Sequence, residues 1–164
     1  MKKLKADGMK VLKIFHLIFV MMWVVGVATL AVISALTYYS GDELYTALRL
    51  NRVVDDVLVI PGATLTVLTA IVYGVWTNWG FFKHRWITVK WIVSLIIVVL
   101  GTFYFSPLLD NILHITDTTR DAALTNAEVA DGIRISLTGG IIQGSALVFL
   151  VVISVLKPWK GKKK

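Results

Sequence analysis

Two side chains in this sequence could do chemistry where little else could. His16 stands in a run, 14–41, that contains no Asp, Glu, Lys or Arg, and Lys90 stands at the edge of another, 91–109. Ionisable groups within long apolar helices are costly to keep and are candidates for function by default. An imidazole offers a nitrogen lone pair to a metal, and an amine offers a cation or, once deprotonated, a second nitrogen. His16 follows Lys13 by three residues, and Lys90 follows Trp86 by four. At about 1.5 Å per residue, each sits roughly one turn inside its helix. Two helices running the same way would therefore present the pair at similar height. Trp23, seven residues beyond His16, shares its face, and Ser94 and Gly101 share that of Lys90. This outlines a flat slot with His16, Lys90, Trp23 and Ser94 as candidate cofactor-binding residues, and with His16 and Lys90 as the candidate metal ligands.

Each residue also has a plainer reading. A lysine one turn inside a membrane helix commonly snorkels to the interface, and a lone histidine at that depth is often interfacial. His84, in a basic segment, and His114, in an acidic one, read as solvent-exposed.

The composition narrows the chemistry. The 164 residues contain no cysteine, which excludes disulfides, thiolate zinc sites, iron–sulfur clusters and covalent c-type haem attachment. There is no phosphate-cradling glycine loop, nucleophile elbow or HExxH motif. Haem b suits a cysteine-free apolar bundle with a buried imidazole. A single histidine at depth leaves a one-histidine site or a His–Lys pair. Copper is a poorer match to one histidine and few further donors.

The elements that must position these residues are membrane helices. The chain is 57% hydrophobic, above the ~45–50% of soluble domains. Four stretches, 14–41, 57–82, 91–109 and 135–156, carry no charged residue. Each is about as long as the ~20 residues a helix needs to cross a bilayer, or longer. Barrel strands would alternate over ~10 residues, and these runs do not. The expected fold is all-α, one integral membrane four-helix bundle running up-down-up-down. The helices are predicted at about 11–38, 55–81, 86–106 and 133–156, with external loops at 39–54 and 108–132. Lysines precede the first run as they would in a signal peptide, but an apolar core of ~7–15 residues marks such a peptide. The longer run here reads as a retained helix.

Within these elements the pattern gives further expectations. Gly62, Thr66, Thr69, Tyr73 and Trp76 form a stripe that should face other helices, since hydroxyls avoid lipid. Asn78, Trp79 and Trp86 mark an interface. Pro61 falls in the first turns of the second helix, and the third should stop near Pro107. Arg49, Arg52, Asp55 and Asp56 read as a solvated charged turn with local pairing. Thr125-Asn126-Ala127-Glu128 reads as a capping box, which would start the fourth helix outside the bilayer. Ser136, Gly140 and Gly144, four apart, let backbones approach closely. They serve packing within the bundle or, on a sharper reading, a homo-oligomer.

The net charge of +7 is unevenly placed. Lys2, Lys3, Lys5, Lys10 and Lys13 lie in the N-terminal tail, and Lys157, Lys160 and Lys162 to Lys164 in the C-terminal one. Lys83, Arg85 and Lys90 lie at the middle loop, against only Arg49, Arg52, Arg120 and Arg134 on the other side. Cytoplasmic segments are the basic ones. Both termini are thus expected in the cytoplasm, with the acidic loop (Asp110, Asp117, Asp121, Glu128, Asp131) outside. The lysine tails attract anionic lipid rather than nucleic acid, and a bacterial-type inner membrane is the expected location.

Several short segments carry a resemblance: Lys13-Ile14-Phe15-His16 with Trp23 and Gly26, Pro61, Trp86-Ile87-Thr88-Val89-Lys90, and Lys157-Pro158-Trp159. Together they resemble bacterial four-helix membrane proteins that include HemJ-type protoporphyrinogen oxidases, CopD-like proteins and uncharacterised predicted integral membrane families. The resemblance implies that His16 and Lys90 bind b-type haem. Two steps of the family pattern are absent. Ala31-Val32-Ile33 replaces a Leu-Pro-Arg step, and Arg134-Ile135-Ser136-Leu137 replaces the Asn-Glu-x-Pro entry to the last helix. Three functions follow as expectations: a haem-b redox protein with an electron-transfer partner, a cofactor-free membrane scaffold or small transport component that binds another membrane protein, and a HemJ-like oxidase.

Overall fold

A computed structural model describes residues 3–158. The described chain is all-α and almost wholly helical. Helix α1 spans Ala6–Ser34, α2 Gly41–Val54, α3 Ile60–Trp76, α4 Arg85–Leu100, α5 Ser106–Thr119 and α6 Ala127–Leu156. A π-helical turn, Asp55–Val59, joins α2 to α3 without a break, and a second, Gly101–Phe105, joins α4 to α5. The result is four rods long and apolar enough to span a membrane: Ala6–Ser34, Gly41–Trp76, Arg85–Thr125 and Ala127–Leu156.

The two middle rods, of 36 and 41 residues, are roughly 54 and 60 Å long at the α-helical rise. A hydrocarbon core of ~30 Å holds only part of either. The expected external loops, 39–54 and 108–132, are therefore mostly helical extensions of the spans. The second span ends at Trp76 rather than 81, and the first starts at Ala6 and ends at Ser34. Trp159 and the last lysines lie outside the described residues.

Pro107 does not stop the third span. Proline lacks an N–H and clashes with the carbonyl four residues earlier in a regular helix. Here Ser106 N–H bonds back to Gly101 O, five residues earlier, and the widened turn makes room for the ring. Pro61 is accommodated in the same way: Ile60 N–H reaches Asp55 O. Each proline follows the first residue of its π-turn by six positions.

Two apolar cores are stacked along the rods. One joins Trp23, Val27, Ala63, Ile97, Leu147, Leu150 and Ile153 from α1, α3, α4 and α6. The other joins Leu44, Leu48, Leu109, Ile112, Ala123 and Val129 in a helical cap made by α2, α5, the 3-10 turn Arg120–Thr125 and the start of α6. Ile112 is fully enclosed; burying such a side chain contributes about 1.5–3 kcal/mol where the alternative is water. Outside the first core, Val32, Phe103 and Ile142 are more than half exposed, as lipid-facing side chains are.

Local signals explain the cap. Ser40 caps α2 by accepting from Glu43 N–H, while the Glu43 carboxylate accepts from Tyr39 N–H, a reciprocal arrangement that satisfies two orphan donors. Gly41 passes against the backbone of Arg120 and Asp121, where a Cβ would lie 2.1 Å from the Arg120 carbonyl carbon. Its N–H donates to the Asp121 carboxylate. The α6 cap is Asn126, one residue later than Thr125: its side chain accepts from Glu128 N–H and Val129 N–H, and Thr125 turns back to the Ala122 carbonyl. The Arg52 segment is not a solvated turn. Arg52 pairs with Asp55, Asp56 and Asp110 at 3.3–3.7 Å and donates to Ser106 Oγ at 2.7 Å, tying the two π-turn rods together.

Candidate functional site

Glycines bring α1 and α3 together. A Cβ on Gly62 would meet the Trp23 backbone nitrogen at 2.6 Å, and one on Gly26 would meet Val59 Cγ2 at 2.7 Å. Seven residues from Gly62 on α3, and seven from Trp23 on α1, the same two faces bring Thr69 to His16. The partner's number falls on α3 as it rises on α1, so these faces are antiparallel here. The close approach is what allows a short threonine side chain to reach an imidazole.

The His16 Nδ1 to Thr69 Oγ1 distance is 2.7 Å. The same oxygen lies 2.7 Å from the Leu65 carbonyl and 3.0 Å from that of Thr66. A hydroxyl has one proton. If it went to Nδ1, two oxygen–oxygen contacts would be left without a hydrogen between them. All three contacts are satisfied only if Thr69 donates to the carbonyls and Nδ1–H donates to Thr69. That assigns the Nδ1–H tautomer and leaves the lone pair on Nε2, where it is free to take a metal or a proton. The Tyr73 ring packs edge-on against the imidazole, with centroids 5.5 Å apart at 79°.

Lys90 stands on α4, which packs against α6 rather than closely against α1. Both side chains are half-buried. Among the described residues Lys90 forms no ion pair or hydrogen bond, and Nε2 of His16 has no hydrogen-bond partner. The pair can thus supply one neutral nitrogen ligand and one cation without a protein counter-ion. No group of three or more His, Cys, Asp or Glu side chains among the described residues could hold a bare metal ion.

The other expected residues are less closely joined to this pair. Trp23 is 2% exposed and packed into the bundle core with Ala63 and Ile97, so it is part of the core rather than an open slot wall. Ser94 is half-buried on α4 and makes no hydrogen bond among the described residues. The stripe Gly62, Thr66, Thr69 and Tyr73 does face the bundle, while Trp76 is more than a third exposed at its end. Thr69 and Tyr73 were legible as stripe members but not as the partners of His16, because spacing on one helix does not tell which residue of another it meets. His84 is not simply solvent-exposed: it is half-buried, its ring 5.7 Å from that of Trp79 and 6.3 Å from that of Trp86. A Cβ on Gly140 would lie 3.0 Å from that of Ala31 on α1, so this part of the small-residue ladder serves packing within the chain.

No family model matches the chain, and neither the curated proteins nor the solved structures include a match to it.

Proposed function

We propose that this chain is a b-type haem-binding membrane protein with a redox role. The single observation behind this reading is the unshared Nε2 lone pair of His16, oriented through Thr69. The donor types are those such a group takes. A neutral imidazole with its other nitrogen donating a hydrogen bond is the usual state of a metal-ligating histidine. A lysine without a protein carboxylate could serve either as a second nitrogen donor or as a partner for a carboxylate of the group. His16 would ligate, Thr69 would hold the ring orientation and raise ligand basicity, and Lys90 would ligate or balance charge. Haem, when bound, supplies one-electron chemistry. The resemblance to HemJ-type proteins rests on the motifs quoted above and makes protoporphyrinogen oxidation a narrower form of the same proposal.

The proposal includes a bacterial-type inner membrane with both termini cytoplasmic, on the strength of the lysine distribution. Paired contacts support an up-down-up-down course: Gly140 with Ala31 and Gly144 with Val27, then Gly132 with Ile112 and Gly139 with Phe105, keep the opposed sense seen between α1 and α3. The absence of native cysteine lets single cysteines at Thr118 and Gly80 be labelled from one side each.

Protein purified in detergent from a haem-replete host should show a Soret band. His16→Ala should remove or shift it, whereas His84→Ala and His114→Ala should leave it. A haem-free wild-type preparation that also fails to take up added haemin would defeat the reading. A cofactor-free membrane component that binds a partner through the cap is the second reading, favoured by the separate apolar core under α2 and α5.

A further inference from the structure

Where the bundle core meets the cap core, the two π-turns line a partly open cavity of about 70 Å³. One water needs roughly 10–15 Å³ by this measure, so the space holds several waters or one small ligand. Its walls are mostly apolar, with oxygen-bearing side chains from four helices and a π-turn: Ser34, Asn51, Asp55, Ser106, Ser136 and Gln143.

Two observations point to a positively charged occupant. First, Asn51 is 2% exposed, and its Oδ1 accepts no hydrogen bond. Its amide nitrogen reaches only Ser34 Oγ, at 3.4 Å. A buried carbonyl oxygen without a donor costs free energy that an occupant would return. Second, the Asp55 carboxylate is largely buried, and its contact with Arg52 is long, at 3.7 Å. The Arg52 guanidinium is drawn closer to Ser106 at 2.7 Å, Asp110 at 3.3 Å and Asp56 at 3.4 Å. One cation thus serves three carboxylates.

The charge of the occupant follows from the lining. Asp55 is the one ionisable side chain that lines the cavity; the other polar groups there are neutral. A divalent ion would lack the further carboxylates it prefers. We infer that this cavity binds a small monovalent cation, an alkali-metal ion or a protonated amine of methylammonium size, between the Asp55 carboxylate and the Asn51 side-chain carbonyl.

The test uses the full chain in detergent, melted by tryptophan fluorescence at constant ionic strength. Sodium, potassium or methylammonium chloride replaces N-methyl-D-glucamine chloride, whose cation is too large for the cavity. At least one of the three small cations should raise the melting temperature saturably, by roughly 5 °C at a hundredfold excess over its dissociation constant. Saturation by an alkali metal alone or by methylammonium alone identifies the source. Asp55→Asn should abolish the rise and Asp56→Asn, at the exposed neighbour, should keep it. Should Asp55→Asn fail to fold, Asn51→Leu must weaken the saturation midpoint at least tenfold. Equal melting in all four chlorides, a rise retained in folded Asp55→Asn, or an unchanged midpoint in Asn51→Leu would overturn the proposal.

Discussion

Replacing Gly62 with alanine tests the contact that sets His16 against Thr69. The added Cβ would sit 2.6 Å from Trp23 N and 3.0 Å from Trp23 Cα, both backbone atoms, where ordinary contact begins at 3.4 Å. Neither atom can swing aside, so α1 and α3 must part by about 0.8 Å. A gap of ~0.5–1 Å forfeits a quarter to a half of each dispersion contact along the seam, and overpacking of this kind costs about 1–3 kcal/mol. Alanine returns about 0.8–1 kcal/mol of helix preference, leaving a net loss of roughly 0–2 kcal/mol. Gly101→Ala is the matched control. Its Cβ would meet nothing within 4 Å and its φ is −58°, so the helix preference is gained without a clash. Because the helix preference is common to both, the two variants should differ by the overpacking cost, roughly 1–3 kcal/mol, on the order of 2–12 °C in melting temperature for a chain of this size. Thermal melts in detergent, followed by tryptophan fluorescence, measure it. A Gly62→Ala protein that melts as high as Gly101→Ala would show that the helices are not held at this distance.

Thr69→Val keeps the side-chain shape and removes the acceptor for His16 Nδ1–H. Haem affinity, read by Soret titration, should fall about 10–100-fold, whereas Thr66→Val, whose buried hydroxyl has no partner to lose, should bind as the wild type does; equal affinities for both variants would remove Thr69 from the site. Tyr38, between α1 and α2, donates to the Ile33 carbonyl, and burial followed by the Glu43 carboxylate pushes its phenol above the ordinary value of 10.0. Because the folded value is the higher one, the stability it contributes is whole below pH ~10 and is lost as pH rises through the folded value. The absorbance difference at alkaline pH between wild type and Tyr38→Phe should therefore appear later than for an ordinary tyrosine.

The sequence alone determined that four helices are long and apolar enough to cross a membrane. It also showed that a hydroxyl and glycine stripe on α3 turns inward, and that His16 and Lys90 are the ionisable groups most out of place. These follow from quantities that add up locally: hydropathy over ~20 residues, and periodicity along one helix axis. Only the tertiary structure decided that Thr69 holds the His16 tautomer, because that depends on the approach and rotation of two helices whose partner residues are 53 apart in the chain. The helical course through Pro107 was hidden for a related reason. Whether proline ends a helix or follows a π-turn depends on packing around the widened turn, which composition does not record. The cavity was harder still to see. Ser34, the neighbouring Asn51 and Asp55, and Gln143 come from three separate rods. Their convergence is set by where two stacked cores fail to meet, which is a property of the folded shape.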